Sequence, residues 1–250
     1  MTVASSIESG FFDADSHMKW FAENRTLIFG ISATYIAALK IGQNLMRDRQ
    51  AFKLKHAMVI WNAALALFSV IGSIKLLPDL LEAVANRGFV WSYCTTDSLY
   101  HDQNTGFWSY LFLLSKVIEF GDSFFVVLRK RKLILLQWYH HSLMAINVWI
   151  SYPYIPAIGR WTMTLNYVTH AFMYSYYSIS MGVTGIQIGQ MITVVAISTL
   201  AMMRKLTGDE CDGPLGVLLF AVVMLTSFLL LFCNFFYNTY VKKIPGSKME

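Results

Sequence analysis

Long apolar stretches alternate with short polar links along most of the chain. The apolar stretches occupy residues 26–45, 57–79, 107–128, 133–153, 156–180, 184–203 and 214–240. Each is close to the roughly 20 residues that an α-helix needs to cross the hydrocarbon layer of a membrane. The pattern predicts an all-α polytopic membrane protein with seven transmembrane helices. We expect a single membrane domain over residues 1–250, with a luminal N-terminal tail 1–25 and a cytosolic C-terminal tail 241–250.

Composition and charge agree with a lipid environment. Of the 250 residues, 56% are hydrophobic and 14% are charged, whereas a soluble domain carries about 25% charged residues. The net charge of +5 comes from short basic clusters beside apolar stretches, which is typical of membrane orientation and speaks against nucleic acid as a partner. The first residues lack the pattern of a cleaved signal peptide, so we expect the first span to insert by itself.

The basic clusters predict which way the chain crosses the membrane. Lys and Arg are concentrated in the loop after the first span, the link after the third span and the tail (Arg47, Arg49, Lys53, Lys55, Arg129, Lys130, Arg131, Lys132, Lys242, Lys243 and Lys248). Because Lys and Arg favour the cytosolic side, the pattern indicates a luminal N-terminus and a cytosolic C-terminus. Cys94 and Cys211 then both lie in luminal loops, where a disulfide bond between them can persist, although sequence alone does not require one.

Polar and titratable side chains interrupt the apolar stretches at one depth. Such residues are costly inside a membrane unless they are paired or hydrated, so they are candidates for function. Spacings of three and four residues place them on single helix faces. The sets are Lys116, Glu119 and Asp122; Gln137, His140 and His141; Asn166, His170, Tyr174 and Tyr177; and Thr184, Gln187 and Gln190. In the predicted orientation every set falls in the cytosolic half of its helix, which predicts one titratable cavity open to the cytosol.

An acyl-CoA suits a cavity of this kind, because its polar head can arrive from the cytosol while its tail lies among apolar side chains. Lys242 and Lys243 lie at the predicted cytosolic mouth and are candidates to hold the CoA phosphates. The alternative is that these lysines only set the orientation of the chain in the membrane.

Other side chains also have second interpretations. Lys116 and Glu119 can form a structural ion pair, and the Thr184, Gln187 and Gln190 stripe can join helices by hydrogen bonds. The three intramembrane histidines can be read as a zinc site, whereas a membrane di-iron site would need more histidines than the six present. A seven-helix transporter or receptor is the alternative without catalysis. A transporter needs access from both faces, and the luminal halves of the spans offer few polar residues.

Four motifs on separate predicted spans resemble those of the ELO family of very-long-chain fatty-acid elongases. SKVIEFGDS is similar to the family's Lys-x-x-Glu-x-x-Asp-Thr motif, with Ser123 in place of Thr, and QWYHH is similar to its histidine box, His-x-x-His-His. NYVTHAFMYSYY and TGIQIGQ are similar to the Asn-x-x-x-His-x-x-Met-Tyr-x-Tyr-Tyr and Thr-x-x-Gln-x-x-Gln motifs. The resemblance runs from near Trp108 to the tail.

The resemblance implies a fold in which six of the seven helices enclose a tunnel open to the cytosol, in the endoplasmic reticulum membrane. It also implies a 3-ketoacyl-CoA synthase that joins acyl-CoA and malonyl-CoA by decarboxylative Claisen condensation, with no cofactor and no metal. The expected partners are membrane lipid and the ketoacyl reductase, dehydratase and enoyl reductase of the elongation cycle, and a homodimer is left open.

Roles for the polar residues follow as a hypothesis from that reaction. We expect His140 to form an acyl-imidazole intermediate, with His141 and His170 as acids, bases or enolate stabilisers. The amides among the site residues (Gln137, Asn166, Gln187 and Gln190) are candidate donors to the developing oxyanion. Lys116 is a candidate to bind the malonyl carboxylate.

Gln137 departs from the family pattern, because it stands where the first histidine of the box is usual. A glutamine side chain can donate and accept hydrogen bonds, but it cannot act as a titrating base or as an imidazole nucleophile. Either the first position of the box is only structural, or the activity of this protein is altered. We favour the first interpretation because His140, His141 and His170 are all present.

Overall fold

The structure, a computed structural model, describes residues 12–175 and 181–242. These residues form helices joined by loops, with no strand among them. The helices are α1 (Ala14–Glu23), α2 (Leu27–Leu45), α3 (Lys55–Glu82), α4 (Phe89–Cys94), α5 (Thr105–Ile118), α6 (Gly121–Leu128), α7 (Leu135–Ser151), α8 (Gly159–Ser175), α9 (Met181–Leu206) and α10 (Leu215–Phe236). One π-helical turn extends α3 (Ala83–Arg87), another extends α10 (Tyr237–Val241), and a 3-10 turn follows α7 (Tyr152–Tyr154).

Helices lie where the apolar pattern places them, with one break and with two short helices, α1 and α4, outside the predicted spans. The predicted spans 26–45, 57–79 and 214–240 correspond to α2, α3 and α10 with its π turn. The prediction of one helix over 107–128 is wrong, because α5 ends at Ile118 and α6 begins at Gly121. Part of the fifth predicted span falls on residues 176–180, outside the described residues.

Three of the described helices are long and apolar enough to cross a membrane: α3 with its π turn, α9, and α10 with its π turn. The pair α1 and α2, bent by 68°, makes a fourth if it counts as one span. On α3, the large apolar side chains of Ile60, Leu67 and Ile74 are 70%, 62% and 64% exposed. Exposed apolar surface on this scale requires lipid rather than water. The protein is therefore a membrane protein, and the count of seven spans and the tunnel stay predictions.

The packing of the helices closes into a ring. Within the described chain, α7 packs against α10, α10 against α9, α9 against α8, α8 against α3, α3 against α5, and α5 against α7. Helix α2 lies outside this ring against α6 and α7. The most extensive contact joins α3 and α8, where a Cβ atom at Gly72 would overlap the ring of Tyr167. A residue without a side chain at this point lets the two helices approach closely.

A disulfide bond helps to close one end of the ring. Cys94, at the end of α4, is bonded to Cys211 in the loop before α10. Beside it, the backbone N–H of Thr96 donates to Asp212 Oδ2 at 2.6 Å, and the N–H of Asp212 donates to the carbonyl of Cys94 at 2.8 Å. We call this the disulfide end of the bundle. These contacts tie the segment between α4 and α5 to the loop between α9 and α10.

Arg160, which is 1% exposed, fixes the same segment from inside. Its Nε donates to Asp79 Oδ2 of α3 at 2.7 Å. Its two terminal nitrogens donate to the backbone carbonyls of Ser92, Thr95 and Thr96. A planar guanidinium with five donors suits this clamp better than a lysine would. Sequence analysis made no functional prediction for Arg160, and its contacts here are structural.

Helix α1 and the hydrogen bonds that begin α5 were not predicted, and both lie near the disulfide end. Helix α1 lies inside the predicted tail 1–25, and the ring of Phe21 packs on those of Trp149 and Tyr152 at 4.6 and 5.5 Å between centroids. Asp102 accepts hydrogen bonds from the backbone N–H groups that begin α5, at Thr105 and Asn104. These bonds, the one from Thr105 above all, hold the pKa of the Asp102 carboxyl below its ordinary value. Neither feature contains a long apolar run: α1 depends on packing against other helices, and the start of α5 depends on a local polar group.

Candidate active site

A cavity of about 320 Å³ lies inside the ring, toward the end opposite the disulfide. Its wall carries most of the polar residues singled out from the sequence. They are Asp122, Gln137, His140, His141, Asn166, His170, Tyr174, Gln187 and Gln190. We call it the histidine cavity. Residues from α3, α6, α7, α8, α9 and α10 contribute, so the polar sets of separate helices do meet in one place.

The remaining predicted residues lie elsewhere. Lys116 and Glu119 are each 3% exposed and lie behind the wall of the histidine cavity, not on it. Lys242 is exposed at the end of the π turn that extends α10. Tyr177 and Lys243 lie outside the described residues.

A buried network behind the cavity wall fixes His170. The ammonium of Lys116 donates to Glu119 Oε1 at 2.6 Å and to Asn166 Oδ1 at 2.8 Å. The amide nitrogen of Asn166 lies 3.3 Å from His170 Nε2, and Glu119 Oε1 lies 3.7 Å from His170 Nδ1. Ser115 adds a hydrogen bond to Glu119 at 3.1 Å. Both ring nitrogens of His170 therefore face groups that can set its orientation.

Asp122 faces His141 as Glu119 faces His170. Its Oδ1 accepts from Trp61 Nε1 at 2.6 Å, and its Oδ2 accepts from the Tyr174 hydroxyl at 2.7 Å. The same Oδ2 lies 3.9 Å from His141 Nε2. A Cβ atom at Gly121 would collide with the Trp61 indole, so the glycine makes room for this donor. Sequence analysis missed Trp61; the signal available was that a buried Trp needs an acceptor for its N–H.

His140 has a different environment. Its ring packs against those of Phe228 and Phe232, at 4.7 and 6.0 Å between centroids. The ring of His141 is 5.6 Å away. Within the described parts of the chain, the ion-pair contacts of this cluster involve His141 and His170 but not His140. One histidine thus lies among phenyl rings on the cavity wall, while its two neighbours each face a carboxylate.

A tightened turn between α5 and α6 aims the two carboxylates. Phe120 N–H donates to Val117 O at 3.2 Å, and Asp122 N–H donates to Glu119 O at 3.1 Å. Bonds between residues three apart wind the chain more tightly than an α-helix does. This turn carries Glu119 toward His170 and Asp122 toward His141.

Comparison with known proteins identifies the family of this chain. Residues 20–248 match the model of the GNS1/SUR4 family, ELO. The chain belongs to this family. It is 38% identical to long chain fatty acid elongase 1 of Caenorhabditis elegans, over 96% of this chain and 87% of that protein. It is 36% identical to very long chain fatty acid elongase 6 of Drosophila melanogaster, over 91% and 76%, and 34% identical to that of Homo sapiens, over 93% and 91%.

The site of this ELO protein also bears on the alternatives raised by its sequence. Among the described residues, no group of three or more His, Cys, Asp or Glu side chains is placed to hold a metal ion. The zinc interpretation of His140, His141 and His170 therefore lacks a ligand set in this part of the chain. Gln137 lies on the cavity wall, one helical turn before His141.

Proposed function

We propose that this protein is a fatty-acid elongase that condenses a long-chain acyl-CoA with malonyl-CoA, giving 3-ketoacyl-CoA, CO2 and CoA. The observation that carries the proposal is the arrangement of three histidines on one cavity wall, with carboxylates facing two of them, in a chain of the ELO family. The relatives that it resembles over nearly all of its length carry the name of fatty acid elongases.

His140 is the nucleophile in this proposal. A histidine among phenyl rings, without a carboxylate partner in the described chain, keeps a ring nitrogen available for attack. That nitrogen attacks the thioester carbonyl, the C–S bond breaks, and an acyl-imidazole forms. The proton released from the other ring nitrogen passes to the departing thiolate, with His141 as the nearest carrier. CoA therefore leaves as a thiol, and the acyl-imidazole is neutral.

Malonyl-CoA reacts in the second step. Loss of CO2 leaves an enolate, whose carbon attacks the acyl carbonyl and forms the new C–C bond. The C–N bond to His140 breaks, and the leaving imidazole takes up one proton from solvent through the carboxylate-paired His141. Asn166 and Gln137, which line the cavity, are the donors that we assign to the oxyanion that develops on the carbonyl. His170, held by Asn166 and Glu119, stabilises the negative charge of the enolate.

Lys116 and Glu119 act through other residues in this proposal. Their observed contacts are with each other, with Asn166 and with His170. A direct contact with the malonyl carboxylate would require Lys116 to leave two hydrogen-bond partners. Their part is to position Asn166 and His170.

The basic clusters and the disulfide support a location in the endoplasmic reticulum membrane with a luminal N-terminus and a cytosolic C-terminus. The histidine cavity then faces the cytosol, where acyl-CoA and malonyl-CoA are found, and Lys242 lies on the same side. The product, 3-ketoacyl-CoA, needs reduction, dehydration and a second reduction, so the reductases and dehydratase of the elongation cycle remain the proposed partners.

The proposal is tested with membranes that contain the full-length protein, labelled malonyl-CoA and a graded series of acyl-CoA chains. Without NADPH, the expected product is a 3-ketoacyl-CoA two carbons longer than the substrate, with CO2 released in equal amount. Membranes from cells without the protein give the background. Absence of extension at every chain length would favour the transporter or receptor interpretation.

Substitutions at Gln137 test whether the first position of the histidine box needs a titratable group. We expect Gln137→Leu to lower kcat/KM about tenfold, because it removes a hydrogen-bonding group from the cavity wall. Gln137→His should retain most of the activity that the leucine variant loses, because an imidazole also donates and accepts. A gain of a hundredfold or more in Gln137→His over the wild type would show instead that glutamine disables the site.

A further inference from the structure

The proposed condensation leaves the indole N–H of Trp61 without a role. Trp61 belongs to α3 and lies outside the four sequence motifs of the site. It lines the histidine cavity, and its Nε1 donates to Asp122 Oδ1 at 2.6 Å. An indole N–H can only donate, so the direction of this hydrogen bond is fixed by chemistry. Helix α3 thus contributes a donor to a carboxylate of the site.

The Asp122 carboxylate needs partners from other helices to hold its plane. Rotation of an Asp carboxylate about its Cβ–Cγ bond is weakly restricted by the side chain itself. Here Oδ1 accepts from Trp61, and Oδ2 accepts from the Tyr174 hydroxyl at 2.7 Å. The same Oδ2 lies 3.9 Å from His141 Nε2. Two donors fix the plane, whereas the bond to Tyr174 alone would let the carboxylate turn about that contact and move away from His141.

The position of the indole is built into the start of α6. A Cβ atom at Gly121 would lie 2.5 Å from Cζ2 of Trp61. The ring of Phe125, one turn further along α6, lies 5.7 Å from that of Trp61 between centroids. One residue of α6 therefore gives the indole its space, and the next residue, Asp122, gives its N–H an acceptor.

His141 has most need of Asp122 when it carries a proton. In the proposed reaction it takes a proton from His140 as CoA leaves, and it returns one to His140 as the acyl group is transferred. The His141 side chain is 11% exposed, and a charged imidazolium is costly in such a place unless an opposite charge faces it. The separation of 3.9 Å from Asp122 Oδ2 is that of an ion pair rather than of a hydrogen bond.

We propose that Trp61 is a positioning residue for the condensation: its N–H holds the Asp122 carboxylate opposite His141, so that His141 can carry a proton in both steps. Trp61 itself neither gains nor loses a proton. This inference rests on the proposed function, because it needs proton transfer through His141. It adds to the site a residue of α3 that acts through Asp122.

The test uses the full-length protein, purified in detergent, and measures the two steps separately. Acyl-CoA alone gives a burst of CoA, whose amplitude counts the active molecules and whose rate reports the first step. Malonyl-CoA then gives the rate of 3-ketoacyl-CoA formation. In Trp61→Phe we expect the amplitude to stay at one equivalent per folded protein. Both rates should fall about tenfold, the effect of losing one hydrogen bond to a charged group, with KM for each substrate within about twofold of the wild type.

Three further variants separate positioning from packing. Trp161→Phe is the matched control, because Trp161 Nε1 donates to Ser92 Oγ at 3.0 Å near the disulfide end; both rates should match the wild type. Gly121→Ala keeps the indole N–H but displaces it, so both rates should fall as in Trp61→Phe. Asp122→Asn removes the charge that faces His141. Adding Trp61→Phe to Asp122→Asn should cost little more, because coupled residues do not lose activity independently.

The outcomes separate this inference from the function on which it rests. Wild-type rates in Trp61→Phe or in Gly121→Ala would overturn it, as would a raised KM with unchanged kcat, which would mean that the indole only shapes the cavity. Independent losses from Trp61→Phe and Asp122→Asn would show that Trp61 does not act through Asp122. If the wild-type protein neither releases CoA nor extends any acyl chain, the condensation itself is refuted before any variant is compared.

Discussion

Replacing His140 with alanine is expected to abolish condensation while the protein still folds. The side chain lies on the cavity wall and packs against phenyl rings, so its removal leaves a small gap in an apolar contact and no unpaired charge. Loss of the attacking group should lower kcat/KM by about a thousandfold or more, or about 4 kcal/mol in the barrier. The measurement is the rate of 3-ketoacyl-CoA formation in detergent-purified protein, with the thermal midpoint recorded for each variant.

A second readout distinguishes the nucleophile from a group that only shapes the cavity. With acyl-CoA alone, the wild-type protein should release one equivalent of CoA and carry the acyl group on the peptide that contains residue 140. His140→Ala should release none. The control is His101→Ala, because His101 lies outside the cavity and its ring faces Asp15 at 3.2 Å. Burst release of CoA by the His140 variant would assign the acyl group to another residue.

The sequence predicts most of the helices because span length and apolarity are local properties. Helices α3, α9 and α10 follow from runs of apolar residues alone. The break after Ile118 does not follow, because the hydrogen-bonding pattern of the turn at Glu119 and Phe120 depends on the helices around it. Helix α1 was missed for a similar reason: it is short, and it is stabilised where Phe21 packs on other helices.

The composition of the candidate site was also largely predictable. Intramembrane titratable groups are rare, and helical spacing assigns each to a face, so the meeting of His140, His141 and His170 in one cavity follows from spacing and orientation. The distinct surroundings of these histidines cannot be predicted from spacing and orientation. Trp61 reaches Asp122 from 61 residues away in the chain, and a contact of that range leaves no trace in local periodicity.

Removing one charge of the Lys116 and Glu119 pair is expected to destabilise the protein strongly. Both residues are 3% exposed, and Lys116 Nζ lies 2.6 Å from Glu119 Oε1. Lys116→Met leaves Glu119 as a buried carboxylate without its cation, and Glu119→Gln leaves Lys116 without its anion. Each change should cost about 3–5 kcal/mol, the usual effect of breaking a buried ion pair from one side. The loss should appear as a lower thermal midpoint and a smaller yield of monodisperse protein in detergent.

The double variant Lys116→Met with Glu119→Gln separates the structural part of the pair from its positioning part. With both charges removed, no uncompensated ion remains, so most of the lost stability should return. Activity should stay low, because His170 then lacks the carboxylate that lies 3.7 Å from its Nδ1 in the wild type and Asn166 lacks the donor to its Oδ1. Recovery of stability and activity together would mean that the pair is structural only. A double variant as unstable as the single ones would show that the two charges do not compensate each other, and that Lys116 and Glu119 contribute through their separate contacts with Asn166 and Ser115.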